Sequence, residues 1–244
     1  MGYDSYLRFV CNCSNNTTVK YLKNFKKIIR ICIANGWLDK DPFVNYRGKL
    51  KETASVFLYE DELQTVTRKE FSIRRLSQVK NIFVFCCLTG LAYSDVKKIN
   101  RKNIATGSEG DQWLMIKRTK TGTGTMIPLL PAALEILGKY EQNSFCLSQN
   151  KLLPVLSNQK TNGYLKEIAD ICGIQKKLTF HVARHTFATT VTLNNDVPIE
   201  SVSRMLGHRS IYATQHYAKI LNKKISRDMQ SLHSKFKIKP FVGQ

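Results

Sequence analysis

Between Leu76 and Leu88 the chain carries a strongly apolar stretch that stops at Thr89-Gly90. It is too long for a typical strand and reads as a helix closed by a glycine. Its middle, IFVFCCL, holds Cys86 and Cys87, which behave as small buried hydrophobes. A helix this apolar needs a core around it. The region from about residue 56 onward is therefore expected to form the larger of two domains. At 244 residues the chain is long enough for a small domain joined to a larger one, and a hydrophobic fraction of 43% argues against disorder.

Around that helix the pattern alternates between helix and one β region. Glu60–Val66 reads as a short helix with an acidic start, and Ser94 can cap a short helix beginning at Asp95-Val96. Trp113–Lys120 and Met126–Leu129 are β-prone runs separated by Thr121-Gly122-Thr123-Gly124, which predicts a hairpin. The glycines of that turn do not make a phosphate-binding loop, because the G-x-x-x-x-G-K-[ST] order is absent and no helix follows directly. From Gly163 onward the pattern is helical, through His181–Leu193, Ile199–Leu206 and a last amphipathic helix near Ile225–Phe236.

The start of the chain reads as a separate, smaller unit. Val19, Leu22, Phe25, Ile29 and Ile33 recur at helical spacing and give one apolar stripe. Lys20, Lys23, Lys27 and Arg30 recur on another face. Gly36 ends this helix, and Trp37-Leu38 with Asp41-Pro42-Phe43 suggests an anchored exit. The division expected is a partial helical domain over 1–47, a linker over 48–55, a larger domain over 56–224 and a tail helix over 225–244.

Charge narrows the function. Lys+Arg 38 against Asp+Glu 18 gives a net charge of +20. Such an excess attracts polyanions and favours nucleic acid, DNA or RNA alike, over the alternatives of a ribosome-associated protein or an anionic-membrane binder. It also makes the basic stripe on the first helix a candidate for a phosphate backbone, the alternative being a solvated face. No apolar run approaches the roughly 18 residues that cross a bilayer, and MGYDSYLRFV is no secretory leader. The seven cysteines are scattered and odd in number, with Cys11 and Cys13 forming only C-x-C, so neither a metal site nor a disulfide framework is expected. A reduced cytoplasm fits this usage.

Four features then occur in order near the C-terminus. His181-x-x-Arg184 opens a helix, Leu206-Gly207-His208 follows, and Tyr217 lies nine residues beyond His208. An i, i+3 pair shares a helix face, so His181 and Arg184 can grip one group together. Arginine offers a planar fork to two phosphate oxygens, and histidine exchanges a proton near neutral pH. A tyrosine attacks phosphorus only with a proton acceptor and dense positive charge nearby, since its free pKa is about 10. His185 is expected to be a buried or supporting residue, and Tyr140 and Tyr212 to be packing residues.

The runs TFHVARHTFAT and SVSRMLGHRSIYATQHYAKI resemble the H-x-x-R … L-G-H … Y signature of tyrosine site-specific recombinases, the phage integrase family. FVFCCLTGLAYSDVKKI resembles that family's TGLR helix junction, and KRTKTGTGTMIPL its hairpin bearing an active-site lysine. The resemblance covers about residues 56 to 225, and more loosely the helical domain before it. It implies a mainly α fold with a small antiparallel β-sheet. It also implies a metal- and ATP-independent enzyme, with no cofactor, that cuts and rejoins DNA. Under it, Tyr217 attacks the scissile phosphate and forms a 3′-phosphotyrosyl bond. Arg184 and His181 hold the non-bridging oxygens, with His181 suited to take the tyrosine proton. His208 adds a phosphate contact and Lys120 protonates the 5′-oxygen. The partners implied are double-stranded DNA, a homotetramer built by exchange of the tail helix, and a DNA-bending accessory protein, in the cytoplasm of a bacterium at its nucleoid.

One position departs from the pattern. After TGL the family has arginine, and this chain has Ala92, while Asp95 matches the acidic residue that braces the site. Arg118 is the candidate replacement; as alternate strand residues, Arg118 and Lys120 are expected on one face about 7 Å apart. The alternative is an exposed strand arginine. Integrases of Bacteroides-type conjugative transposons are similar in lacking that arginine. Two other classes stay open: a non-cutting DNA-binding regulator of recombinase descent, supported by Ala92 alone, and a type IB topoisomerase-like enzyme. The incomplete look of the N-terminal domain suggests a piece of a longer protein.

Overall fold

The computed structural model describes residues 2–52 and 55–218. The chain divides into two compact units, Met1–Ala54 and Ser55–Gln244. The tail helix expected near Ile225–Phe236 lies outside the described residues.

In the first unit a short helical entry, α1 (Tyr3–Ser5) with the π-turn Tyr6–Val10, precedes the long helix α2 (Asn15–Ala34). Ser14 caps α2 by accepting from the Thr17 amide, and Asn35 and Gly36, at φ +71°, close it. Leu22 and Ile29 bury against Leu7 and Phe43, as the apolar stripe requires. Phe25 sits at the rim of that cluster, edge-on to Tyr3 and Phe43. The exit after α2 is anchored through Phe43, buried in this cluster with its amide on Asp41 Oδ1, and not through Trp37, which is 72% exposed. Nor is the segment read as linker free along its length: Asn15 donates to the Lys49 carbonyl, and Asn16 pairs with the backbone of Lys51 in both directions. Asparagine side chains at the start of a helix are suited to such backbone pairing.

The second unit is built around the apolar helix. After α3 (Glu60–Arg68), α4 (Arg74–Thr89) buries Leu76, Val79, Ile82, Phe83 and Phe85 almost completely, with Cys86 and Cys87 beside them. A short α5 (Tyr93–Val96) follows, capped at Ala92 rather than at Ser94, which lies inside it. Three antiparallel strands come next, β1 (Ile104–Thr106), β2 (Gln112–Lys117) and β3 (Gly124–Pro128), in the order β1-β2-β3. Trp113 pairs with Pro128 and Lys117 with Gly124, so Leu114 and Ile127 face the core. The sequence pattern gave no sign of β1, whose three residues are too few to show alternation. Helices α6 (Pro131–Gly138), α7 (Ser144–Ser148) and α8 (Asn158–Ile171) lead to α9 (Phe180–Thr186). A π-helical stretch, Phe187–Thr192, extends α9, and α10 (Ile199–Leu206) and α11 (Tyr212–Ala218) complete the described chain. Helices α3, α6, α8 and α9 all pack on α4. The unit is mainly helical with one small antiparallel sheet. Among the described residues no helix is long and apolar enough to cross a membrane.

Candidate active site

Arg184 is the hub of the site. It is 5% exposed, on the buried face of α9. Its Nη1 donates to the Gly90 carbonyl at 2.7 Å, and its Nη2 donates to the Leu206 carbonyl at 2.7 Å and to His208 Nε2 at 3.0 Å. Gly90 and Leu206 end α4 and α10, so the guanidinium sits against two helix C-termini, where the backbone dipoles favour a cation. Both ends turn on left-handed glycines, Gly90 at φ +67° and Gly207 at φ +62°. A Cβ at Gly90 would strike Phe187 and Leu206, and one at Gly207 would strike Thr125 and Arg118. The two glycines thus let helix ends and side chains approach closely enough to enclose the arginine. Burial, and then Arg118, bring the Arg184 pKa down to about 10, which leaves it charged at neutral pH.

His208 is held by both ring nitrogens. Arginine only donates, so Nε2 is the acceptor and Nδ1 carries the proton, which it gives to Thr214 Oγ1 at 2.8 Å. Burial and the neighbouring arginines lower its pKa to about 4, consistent with a neutral ring. As placed, His208 fixes Arg184. A direct phosphate contact requires Nε2 to leave Arg184 and gain a proton.

Tyr217, on α11, is 5% exposed and packs with Phe187 and Leu206 in a small second core. Its hydroxyl lies within the electrostatic reach of Arg184 and Arg118, and its ring stacks parallel to His208 at 6.3 Å. Burial raises the phenol pKa, while Arg184 and Arg118 pull it down. His181 does not touch this ring. His185 stands between them, its centroid 4.3 Å from His181 and 5.3 Å from Tyr217. His185 Nδ1 is buried with no hydrogen-bond partner, and burial of the ring lowers its pKa to about 4, helped by His181. His181 itself lies at the exposed edge; partial burial, then Arg184 and Lys120, lower its pKa. Tyr140 is half-buried and hydrogen-bonds Asn81, whereas Tyr212 is 78% exposed and packs on nothing.

Arg118 and Lys120 do not share a strand face, because β2 ends at Lys117. Arg118 N–H bonds the Thr123 carbonyl and Gly122 N–H bonds the Arg118 carbonyl, so the turn starts at Arg118 and Lys120 rides in it, exposed. Arg118 is not an exposed strand arginine either. It is 8% exposed and runs inward past Gly207, with Nε 2.9 Å from Asp95 Oδ2. The same carboxylate accepts the Thr119 amide through Oδ1 at 2.9 Å. Arg118 Nη1 is buried without a partner. Ala92 opens onto a cleft of about 270 Å³ that His181, Arg184, Asn158 and Asn162 also line. The second unit thus gathers Tyr217, Arg184, His208 and Arg118, with His181 and Lys120 at its edge. Lys20, Lys23, Lys27 and Arg30 are all exposed on α2 of the first unit. Thr214 and Arg209 were not foreseen, since nothing in their spacing marks them.

The Phage integrase family matches residues 57–224, and the Phage integrase SAM-like domain matches residues 1–49. Among curated relatives, the tyrosine recombinase XerD of Listeria innocua is 23% identical over 233 residues, 90% of this chain and 77% of its own length. XerC of Pediococcus pentosaceus is 24% identical over 240 residues, covering 91% and 77%. Among solved structures, a lambda integrase dimer bound to a COC′ core site aligns with a TM-score of 0.68 at 19% identity, over 86% of this chain and 75% of that one. The Tn1549 transposon integrase in complex with a circular intermediate DNA aligns with 0.69 at 16% identity, over 87% and 78%.

Proposed function

The chain belongs to the phage integrase family of tyrosine recombinases, and from that premise we propose which of its residues do the chemistry. It is a site-specific recombinase that cleaves and rejoins double-stranded DNA through its tyrosine. Tyr217 Oη attacks the scissile phosphorus; the P–O5′ bond breaks, and the DNA 3′ end is left on the tyrosine. The phenol proton passes to the imidazole pair His185 and His181, whose outer ring opens to solvent. Lys120 Nζ gives a proton to the departing 5′-oxygen. Arg184 and Arg118 hold the non-bridging oxygens, and His208 keeps Arg184 in place until DNA enters.

The observation that carries this reading is the buried Nη1 of Arg118, left without a partner although Nε pairs with Asp95, on a guanidinium whose charge acts on both Arg184 and Tyr217. A buried donor without an acceptor is costly, and a phosphate oxygen relieves that cost. Arg118 thereby supplies from the hairpin the charge that Ala92 cannot. On the same reading, the α2 stripe of Lys20, Lys23, Lys27 and Arg30 tracks the DNA backbone, and the division stays as 1–47, 48–55, 56–224 and 225–244. We place the protein with integrases of Bacteroides-type conjugative transposons, acting as a homotetramer with a DNA-bending partner at the nucleoid.

The test is covalent trapping on a nicked duplex whose sequence the protein itself selects, by covalent capture, from a random-sequence library. The expected result is a Tyr217-linked strand with a free 5′-hydroxyl, absent in Tyr217→Phe. No trapped strand from any sequence favours the non-cutting regulator; relaxation of plasmid DNA without site preference favours the topoisomerase-like reading.

A further inference from the structure

Lys120 rides in a turn rich in glycine and threonine, where the backbone is entropically costly to fix. Both of its chain neighbours are nevertheless tied down. On one side the Thr119 amide donates to Asp95 Oδ1 at 2.9 Å. On the other, the Thr121 carbonyl accepts from Arg209 Nη2 at 2.6 Å. Asp95 belongs to α5, and Arg209 directly follows His208 in the loop between α10 and α11. The root of the hairpin rests on that same loop, since Gly207 lies against Thr125 and Arg118 with no room for a Cβ. The turn is thus pinned from both sides by segments that carry other parts of the site.

We infer that Arg209 is a positioning residue for the leaving-group step: by holding the Thr121 carbonyl, its guanidinium keeps Lys120 over the 5′-oxygen. The inference rests on the reading of Lys120 as the proton donor. Lys120 Nζ can deliver its proton to O5′ only while the turn lies over the breaking P–O5′ bond. General acids contribute roughly 10²- to 10⁴-fold, and that gain exists only within hydrogen-bond reach. Backbone bonds from Gly122 to Arg118 and from Arg118 to Thr123 close the turn on itself, and on the far side of Lys120 it is Arg209 that ties the closed turn to the segment carrying His208.

Sulfur in place of the bridging 5′-oxygen separates this role from others. A thiolate leaves unaided, because its conjugate acid has a pKa near 8.5, far below that of an alcohol. The experiment compares single-turnover cleavage of oxygen- and sulfur-bridged versions of the self-selected nicked duplex by the parent, Lys120→Ala and Arg209→Ala. On the oxygen substrate Lys120→Ala is expected to lose roughly 100-fold or more and Arg209→Ala roughly tenfold. On the sulfur substrate both are expected to match the parent, which also shows that both variants fold and bind. Arg209→Lys, which keeps a donor, is expected to recover most of the oxygen rate. If Lys120→Ala is rescued by sulfur and Arg209→Ala stays slow, the inference fails alone and Arg209 serves DNA binding or folding. Parent-like cleavage of the oxygen substrate by Arg209→Ala also overturns it. If sulfur does not rescue Lys120→Ala, the reading of Lys120 fails and takes the inference with it.

Discussion

Replacing Arg118 by methionine removes two things that must be measured apart. The first is structural. Asp95 has a side chain only 2% exposed, and its cation is Arg118. Stripping one partner from a buried ion pair costs about 3–5 kcal/mol, mostly because a charge is left behind uncompensated. The second is catalytic. Loss of one preorganised donor to the transition state costs about 2.7–4 kcal/mol, or roughly 10²- to 10³-fold in rate. Asp95→Asn separates them, because the amide keeps an oxygen for the Thr119 N–H while removing the charge. The double variant Arg118→Met/Asp95→Asn is therefore expected to regain most of the stability and little of the rate. Adding Ala92→Arg to that double variant places a guanidinium in the cleft beside His181 and Arg184. It is expected to bring trapping back to within about tenfold of the parent, since one donor replaces another. The assays are thermal unfolding and single-turnover trapping on the nicked duplex. If Arg118→Met traps DNA as fast as the parent, or if Asp95→Asn restores rate together with stability, Arg118 is a structural residue and the substitution for Ala92 is wrong.

Three further outcomes follow from the same geometry. His185 and His208 have folded pKa values of about 4 against an ordinary 6.5, so between those pH values the unfolded chain binds the extra protons. Stability is full above about pH 6.5 and falls as pH drops toward 4; His208→Gln should flatten the dependence of Tm on pH, and an unchanged slope contradicts the neutral ring. Gly207→Ala combines a left-handed backbone at φ +62° with contacts to Thr125 and Arg118. The expected loss is about 2–4 kcal/mol, or a fall in Tm of roughly 5–15 °C, and a Tm within 2 °C of the parent counts against the close approach. Changing Lys20, Lys23, Lys27 and Arg30 together to glutamine should reduce the slope of log K against log salt for duplex DNA by roughly 3–4. Because all four are exposed, Tm should hold; an unchanged slope assigns the stripe to solvent.

Much of the second unit was legible because its signals are local. An apolar run ending at Gly90, a glycine-rich turn between β-prone runs and the ordered HxxR, LGH and tyrosine residues all register within a few positions. What escaped depends on distance. β1 is too short to display a period, and Thr214 acquires meaning only once α11 folds back onto His208. Arg118 shows the limit most clearly. Alternation along a strand placed it beside Lys120, but the strand stops at Lys117, and the buried carboxylate of Asp95, 23 residues earlier in the chain, turns the guanidinium inward. Trp37 misled for a different reason: an apolar residue just after a helix suggests an anchor, but the side chain that anchors this exit is Phe43, while Trp37 stays 72% exposed.

The motifs themselves have one physical origin here. TGL and LGH look unrelated in sequence, but each is a helix end whose left-handed glycine exposes a carbonyl, and both carbonyls converge on Arg184. A buried cation needs partners, and carboxylates would neutralise the charge that a phosphate requires. Backbone carbonyls at helix C-termini satisfy the guanidinium with partial charges only, so its full positive charge stays available. Among the described residues, the carboxylate paired with these arginines is Asp95, which lies against Arg118 Nε and leaves Nη1 unpaired. On the proposed reading of Arg118, what the site must keep is two buried guanidiniums with donors to spare, the second delivered by the hairpin in place of the TGL junction. The same reading fixes what would break the site most completely. A carboxylate introduced at Ala92, next to Arg184, would satisfy the hub in place of the phosphate, so Ala92→Glu should keep the fold and abolish trapping even where Ala92→Gln does not.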